Sequence, residues 1–139
     1  MLVKISVENF KSFQDATELT MISSNKIRTN ASHRLKIKST QLLKYGVVYG
    51  ANASGKTNLV EFFRFFKKCV SGGIPMEAVQ MFCKNREQNK ERESNFEMQF
   101  TVGDKFYAYG FSAVLSKRKI TAEWLYELCL LYTSDAADD

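Results

Sequence analysis

The alternation of apolar and polar positions at the beginning of the chain predicts a β-strand. Residues 2–7 place valine or isoleucine at every second position, which is the period of a strand with one buried face. A turn-like stretch follows, in which Lys11 and Ser12 lie between two phenylalanines. Leu19 and Met21 then predict a second strand, which we expect to form a hairpin with the first.

Apolar residues at three- and four-residue spacing predict an α-helix from Gly55 to about Val70. Gly72, Gly73 and Pro75 follow and predict its end, because glycine and proline are typical just past a helix C-terminus. The helix should be buried on much of its circumference. Its apolar positions are Leu59, Val60, Phe62, Phe63, Phe65, Phe66, Cys69 and Val70.

The last third of the chain predicts an antiparallel sheet. Apolar and polar residues alternate in residues 96–102 and 120–128, and residues 105–115 form a run rich in aromatics. Gly103-Asp104 supplies a turn between the first and the aromatic segment. We expect a three-stranded meander. Its many aromatic side chains indicate either a packed sheet face, which is the commoner case, or a surface that stacks nucleic-acid bases.

The connecting segments are less regular. Residues 76–83 predict either a short helix or an irregular packed segment, and the charged stretch 84–94 predicts an exposed loop. Residues 23–44 are polar and basic, which indicates either a solvated loop or a surface that contacts phosphates of DNA or RNA. The single histidine, His33, has no evident partner in the sequence, and we assign it no catalytic role.

The strongest chemical signal is a glycine-rich loop between a β-type run at residues 45–49 and the predicted helix. It has the pattern G-x-x-x-x-G-K-[ST], the Walker A or P-loop motif, for which strand, loop and helix are the expected order. The predicted phosphate-binding residues are Gly50, Ala51, Asn52, Ala53, Ser54, Gly55, Lys56 and Thr57.

These residue types suit phosphate for physical reasons. Glycines let successive backbone N–H groups converge on one concavity, and the helix that follows presents the positive end of its dipole. Lys56 adds a mobile charge that can reach the terminal phosphates, so it is the candidate catalytic residue. The Thr57 hydroxyl is the candidate ligand of Mg²⁺.

Composition and charge set limits on other functions. The chain has 139 residues, 45% of them hydrophobic and 25% charged, with a formal net charge of +5. This is ordinary for one globular domain, and the mild positive charge permits nucleic-acid contact without requiring it. We find no membrane span, signal peptide, zinc pattern or disulfide framework, and we expect a cytoplasmic protein without membrane contact.

Two segments together resemble a known family of ATPases. They are Glu8-Asn9-Phe10-Lys11-Ser12-Phe13 near the start, and residues 49–59 around the glycine-rich motif. The combination is similar to the N-terminal part of ABC-type heads of the RecF/SMC/OLD lineage, including AAA-labelled ATP-binding proteins and RloC-like phage-defence relatives. The resemblance extends over about residues 1–128.

The resemblance implies an α/β P-loop NTPase fold, namely a partial ABC-type head with an antiparallel β meander after the Walker A helix. It implies ATP as the nucleotide, a second copy of the head as partner, and a role in DNA repair or phage defence. It also implies that Lys11 and Ser12 lie near the nucleotide, and that Asn52 and Asn58 belong to the phosphate loop and its helix.

The end of the chain departs from this family pattern. Residues 129–139 resemble a translated sequencing adapter. We therefore expect a partial ATP-binding head over residues 1–128, followed by a non-native read-through tail. A signature motif, an acid-terminated strand with a general-base glutamate, and a switch histidine are missing from the sequence. We accordingly expect this chain alone to bind nucleotide with negligible turnover, because hydrolysis needs an oriented water.

Two other classes of function stay open. A P-loop kinase or GTPase would share the phosphate loop, although the N-K-x-D pattern that reads guanine is missing from the sequence. A binding module without catalysis would use the basic segment 26–44 on nucleic acid, and its affinity would depend on salt concentration.

Overall fold

A five-stranded antiparallel sheet is the main element of the fold. The computed structural model describes residues 1–24, 29–51 and 54–129. Its strands lie in the order β2-β1-β5-β6-β7, and a separate two-stranded sheet joins β3 and β4. In the described residues the elements are β1 (Leu2–Glu8), β2 (Thr17–Thr20), β3 (Arg34–Ile37), β4 (Thr40–Leu43), α1 (Lys56–Gly72), β5 (Ser94–Val102), β6 (Lys105–Val114) and β7 (Lys119–Leu128).

The predicted hairpin and meander are both present in the large sheet. β1 pairs with β2, with Ile5 opposite Leu19, and β5, β6 and β7 pair in sequence order. Gly103 makes the turn between β5 and β6 at a φ of 63°, a conformation that glycine adopts without strain. Because β1 also pairs with β5, the N-terminal hairpin and the meander form one continuous sheet.

The predicted helix α1 packs on one face of this sheet. Phe62, Phe65 and Phe66 are its buried residues, and they join Phe96 of β5 and Phe111 of β6 in the main apolar cluster. Aromatic side chains bury a large area each, so this contact supplies much of the apolar stabilisation of the fold. The apolar spacing therefore predicted the helix position and one buried face correctly. The expected burial on much of the circumference is wrong, because Val60 and Val70 are 50% and 57% exposed.

The glycine and proline pattern also predicted the end of α1. The helix ends at Gly72, and Gly73 follows with a φ of 82°. The Gly73 N–H donates to the carbonyl of Cys69 at 2.9 Å. With a ψ of 179°, Gly73 adopts a backbone region that is open essentially only to glycine, which explains why a glycine directly follows the helix.

The β3–β4 hairpin corrects the expectation of a solvated loop for residues 23–44. Leu42 is buried with Val3 and Phe106 in a second apolar cluster. Because Phe106 alternates with the residues of β6 that face α1, this cluster lies on the other face of the sheet. The hairpin was not predicted because its apolar positions are few among basic ones. Residues 25–28 of the basic segment lie outside the described residues.

The β-type run at residues 45–49 is not a strand, and that prediction is wrong. The run has no assigned regular structure, and Val47 and Tyr49 are 77% and 89% exposed. No strand of the described ranges pairs with it. Strand propensity mainly reflects packing against neighbouring strands, so an apolar run without such neighbours does not form a strand by itself.

The segments between α1 and β5 contain short 3-10 helices. Residues Met76–Gln80 form one. Of the two structures predicted for residues 76–83, the short helix is therefore the one observed. The charged stretch contains another, Glu87–Lys90. Most of that stretch is exposed as predicted, but Asn89 is completely buried within it.

Candidate functional site

The described residues on the two sides of the glycine-rich motif lie close together directly before α1. The N–H of Ser54 donates to the carbonyl of Ala51 at 3.2 Å. Gly50 lies close to Ser54, because a Cβ built on Gly50 would be 2.8 Å from Ser54 Oγ. Two of the predicted phosphate-binding residues, Asn52 and Ala53, lie outside the described residues.

Gly55 joins the loop to α1 in a conformation that only glycine adopts readily. Its φ is 95°, in the region where a Cβ would be strained. A Cβ there would also lie 3.3 Å from Ser12 Oγ, on the turn after β1. The last glycine of the motif therefore satisfies a backbone requirement and a packing requirement at once.

The Lys56 side chain folds back across the loop. Its ammonium group donates to the carbonyl oxygens of Gly50 and Ala51, at 2.9 Å in the second case. Both acceptors belong to the motif itself. The ammonium is therefore held over the loop by neutral acceptors, which phosphate oxygens would replace with stronger, charge-assisted hydrogen bonds.

The N-terminus of α1 presents the positive end of the helix dipole beside the motif. The N–H groups of Asn58 and Leu59 donate to the Gly55 carbonyl at 3.1 and 3.3 Å, and the N–H groups before them precede the first intrahelical bond. Gly55 makes no side-chain cap, and the first turn contains no acidic residue. A helix N-terminus without a capping side chain or an acidic residue is suited to an anion.

The structure places Ser12 beside Gly55 of the motif and Asn58 of α1. Phe10 and Phe13 exchange backbone hydrogen bonds of 3.0 and 2.8 Å, so Lys11 and Ser12 form a two-residue turn. The Ser12 hydroxyl accepts a hydrogen bond of 2.8 Å from Asn58 Nδ2, across 46 residues of sequence. Asn58 is therefore oriented by the turn after β1.

Lys11 and Thr57 are placed less firmly. The Lys11 N–H donates to the Met81 carbonyl at 2.8 Å, but no described contact joins the Lys11 side chain to the motif. Thr57 is exposed as the second residue of α1. Its hydroxyl fits a magnesium ion that takes most of its other ligands from phosphate and water, which is how Mg²⁺ is commonly bound.

A cleft of about 330 Å³ adjoins the motif loop. One end is formed by the motif. The remainder is formed mainly by apolar side chains of the β1–β2 hairpin, the exposed run before the motif, and α1, together with the polar residues Thr17 and Glu18 of β2. A cleft with an apolar wall and a few polar groups at one end is typical of a small-molecule site. Its lining residues are Ile5, Val7, Phe13, Thr17, Glu18, Leu19, Val48, Tyr49, Gly50, Ser54, Gly55, Lys56 and Leu59.

The sequence analysis missed Asn9, which supports the turn that carries Ser12. Asn9 is completely buried and has a φ of 52°. Asparagine is among the few residues that adopt this left-handed conformation readily. An asparagine directly after an alternating strand was the available signal, but its burial depends on distant residues that the local pattern does not reveal.

Two other potentially reactive side chains do not join the site. His33 has a partner that the sequence did not reveal, because its Nδ1 lies 3.0 Å from the Tyr45 hydroxyl. Burial raises the pKa of the Cys69 thiol to about 12, so this cysteine is protonated near neutral pH and is a poor nucleophile. Neither residue contacts the motif in the described ranges.

Comparison with known proteins identifies the family. The AAA ATPase domain family matches residues 1–135, and no curated protein matches the chain. The family is associated with ATP binding and ATPase activity, and generally uses ATP with Mg²⁺. In the described part of the chain, no helix is long and apolar enough to cross a membrane. The match covers nearly the whole sequence, and the chain therefore belongs to the AAA ATPase domain family.

Proposed function

We propose that this chain binds Mg-ATP with the Walker A motif Gly50–Thr57 and the N-terminus of α1. The observation that carries the proposal is the Lys56 ammonium, which lies over the loop on carbonyls of the motif itself. It stands beside a helix N-terminus that has neither a side-chain cap nor an acidic residue in its first turn. Both features favour a highly charged anion, such as a triphosphate.

Each polar residue of the site has a distinct task in this proposal. The N–H groups at Gly55 and Lys56 would bind phosphate oxygens, and the Thr57 hydroxyl would ligate Mg²⁺. Lys56 would be the catalytic residue, because its charge would stabilise the negative charge that develops during phosphoryl transfer. Bound Mg²⁺ supplies further neutralisation of that charge. Asn52 and Ala53 belong to the same proposed loop.

The nucleoside would occupy the cleft beside the motif. The cleft volume of about 330 Å³ lies at the lower end of the range for small-molecule sites. Its apolar walls, including Phe13 and Leu19, suit the face of a base. Ser12 and Asn58 are joined by their hydrogen bond, and Ser12 lies next to Gly55 of the phosphate loop. Lys11 is carried on the same turn.

The proposal includes a narrower assignment to the ABC-type heads of the RecF/SMC/OLD lineage, with RloC-like relatives. It is supported by the segment at residues 8–13 and by the contact of its Ser12 with Asn58. A complete head of this type would hydrolyse ATP against a second copy. Such a protein would act in the cytoplasm, in DNA repair or phage defence.

Calorimetric titration with Mg-ATP tests the proposed binding. We expect Lys56→Ala to weaken the affinity by about tenfold or more, because a hydrogen bond to a charged group contributes about 1.5–3 kcal/mol. Lys67→Ala is the matched control, since Lys67 is an exposed lysine of the same helix. Equal affinities for the two variants, or no heat of binding with the parent chain, would contradict the proposal.

A second candidate function is nucleic-acid binding by the β3–β4 hairpin, where Lys36 and Lys38 are both exposed. Cationic side chains on an exposed hairpin suit contacts with phosphates. This function predicts salt-sensitive DNA or RNA binding that needs no ATP and survives Lys56→Ala. Replacing Lys36 and Lys38 with glutamine should abolish it and leave Mg-ATP affinity unchanged. Salt-independent binding would count against it.

A further inference from the structure

We propose that Asn9 is a positioning residue of the nucleotide site, acting through Ser12. This inference rests on the proposed function, because it concerns the affinity of that same site. Asn9 is buried directly after β1, whereas Ser12 lies at the exposed tip of the following turn, next to Gly55 and Asn58. The amide of Asn9 determines where that turn lies.

Both polar atoms of the Asn9 side chain make hydrogen bonds. Its Nδ2 donates to the carbonyls of Asn89, Arg92 and Glu93 at 2.9, 3.3 and 3.4 Å. Its Oδ1 accepts from the Cys83 N–H at 3.0 Å. A buried amide with these partners orders the chain around it, because each hydrogen bond lost would leave a buried polar group unsatisfied.

The backbone of Asn9 is held as well. Its carbonyl accepts from the Ser94 hydroxyl at 2.5 Å, and Ser94 is itself completely buried. Asn89 extends the network, since its Nδ2 donates to the Cys83 carbonyl at 3.0 Å and to Gln14 Oε1 at 2.6 Å. Asn9 and Gln14 lie on the two sides of the turn, so residues 83–94 hold it from both ends.

The short turn transmits this position to the motif. Only Lys11 and Ser12 lie between the paired residues Phe10 and Phe13, and Phe10 is fully buried. A turn of this length has little freedom to move independently of its ends. A displacement of the backbone at Asn9 should therefore move Ser12 relative to Asn58.

The best variant for a test is Asn9→Gly. Glycine accepts the φ of 52° at this position without strain, so the change removes the amide and leaves the backbone conformation available. Val3→Ala is the control, because Val3 lies in the second apolar cluster with Leu42. It should cost stability without disturbing the turn. Ser94→Ala replaces Asn9→Gly if the latter does not fold.

The first measurement needs no nucleotide. In the ¹⁵N-labelled 139-residue chain, the side-chain amide resonance of Asn58 reports its hydrogen bond to Ser12. We expect Asn9→Gly to shift this resonance towards its position in Ser12→Ala, and Val3→Ala to leave it in place. An unchanged Asn58 resonance in folded Asn9→Gly would overturn the inference, whatever the nucleotide affinity.

The second measurement is Mg-ATP affinity at a temperature where all variants are folded. Asn9→Gly and Ser12→Ala should each weaken binding by about fivefold or more, as for the loss of one hydrogen bond. The double variant should be no weaker than Ser12→Ala, because both changes act through one group. Independent, multiplying effects would overturn the inference. Absence of binding by the parent chain would instead contradict the proposed function.

Discussion

At the scale of single residues, the neighbours of the glycine-rich motif include side chains that lie far from it in the sequence. The phosphate-binding role proposed for Gly55 and Lys56 was predicted from eight consecutive residues, because such a role would depend on local backbone curvature and one nearby charge. The contact of Ser12 with Asn58 spans 46 residues. Asn9 was missed for the same reason, since its partners lie beyond residue 82 and only the fold brings them together.

Gly55→Ala tests the local geometry of the loop. An alanine would have to adopt a φ of 95°, at a cost of about 1–2 kcal/mol, and its Cβ would crowd Ser12. We expect lower stability, measured by urea denaturation, and Mg-ATP affinity reduced by about tenfold.

Gly72→Ala is the matched control for this substitution. Gly72 is the last residue of α1, and a Cβ at that position meets no atom within 4 Å. Alanine should be neutral there or should raise the free energy of unfolding by up to about 1 kcal/mol. If the two alanine variants had the same stability and the same affinity, the strained and crowded position assigned to Gly55 would be wrong.

At the scale of elements, the helix and strands that were predicted correctly are those whose spacing of apolar residues shows which face is buried. The phenylalanine spacing of α1 and the alternation of the meander each follow from one face packed on the core. The strand prediction for residues 45–49 was wrong because a strand there would depend on neighbouring strands. The β3–β4 hairpin was missed for the opposite reason. Its Leu42 is buried, but the surrounding segment is mostly polar and predicts a loop.

The packing of α1 on the sheet predicts unequal effects along one helix. Phe62 is fully buried, whereas Val60 is 50% exposed. We expect Phe62→Ala to lower the free energy of unfolding by about 3–5 kcal/mol, measured by chemical denaturation. Val60→Ala should change it by about 0.5 kcal/mol or less. Similar losses for both variants would mean that α1 does not bury this face against Phe96 and Phe111.

At the scale of the whole molecule, the site is assembled from parts that only folding brings together. The motif and the N-terminus of α1 are continuous in sequence, but the turn with Ser12 comes from the β1–β2 hairpin, and residues 83–94 hold that turn. The apolar cleft likewise combines the hairpin with the motif. A nucleotide that uses all of these parts should bind the folded chain and not the unfolded one.

Mg-ATP should therefore stabilise the chain against heat. A ligand that binds only the folded state contributes about 2.7 kcal/mol at a concentration of 100 times Kd, which should raise Tm by several degrees in a domain of this size. The rise should be smaller in Lys56→Ala, and Lys67→Ala should retain it. An equal rise in Tm with Mg-GTP would mean that the site binds the phosphates without distinguishing adenine from guanine. An unchanged Tm at saturating Mg-ATP would mean that the assembled parts do not form a nucleotide site.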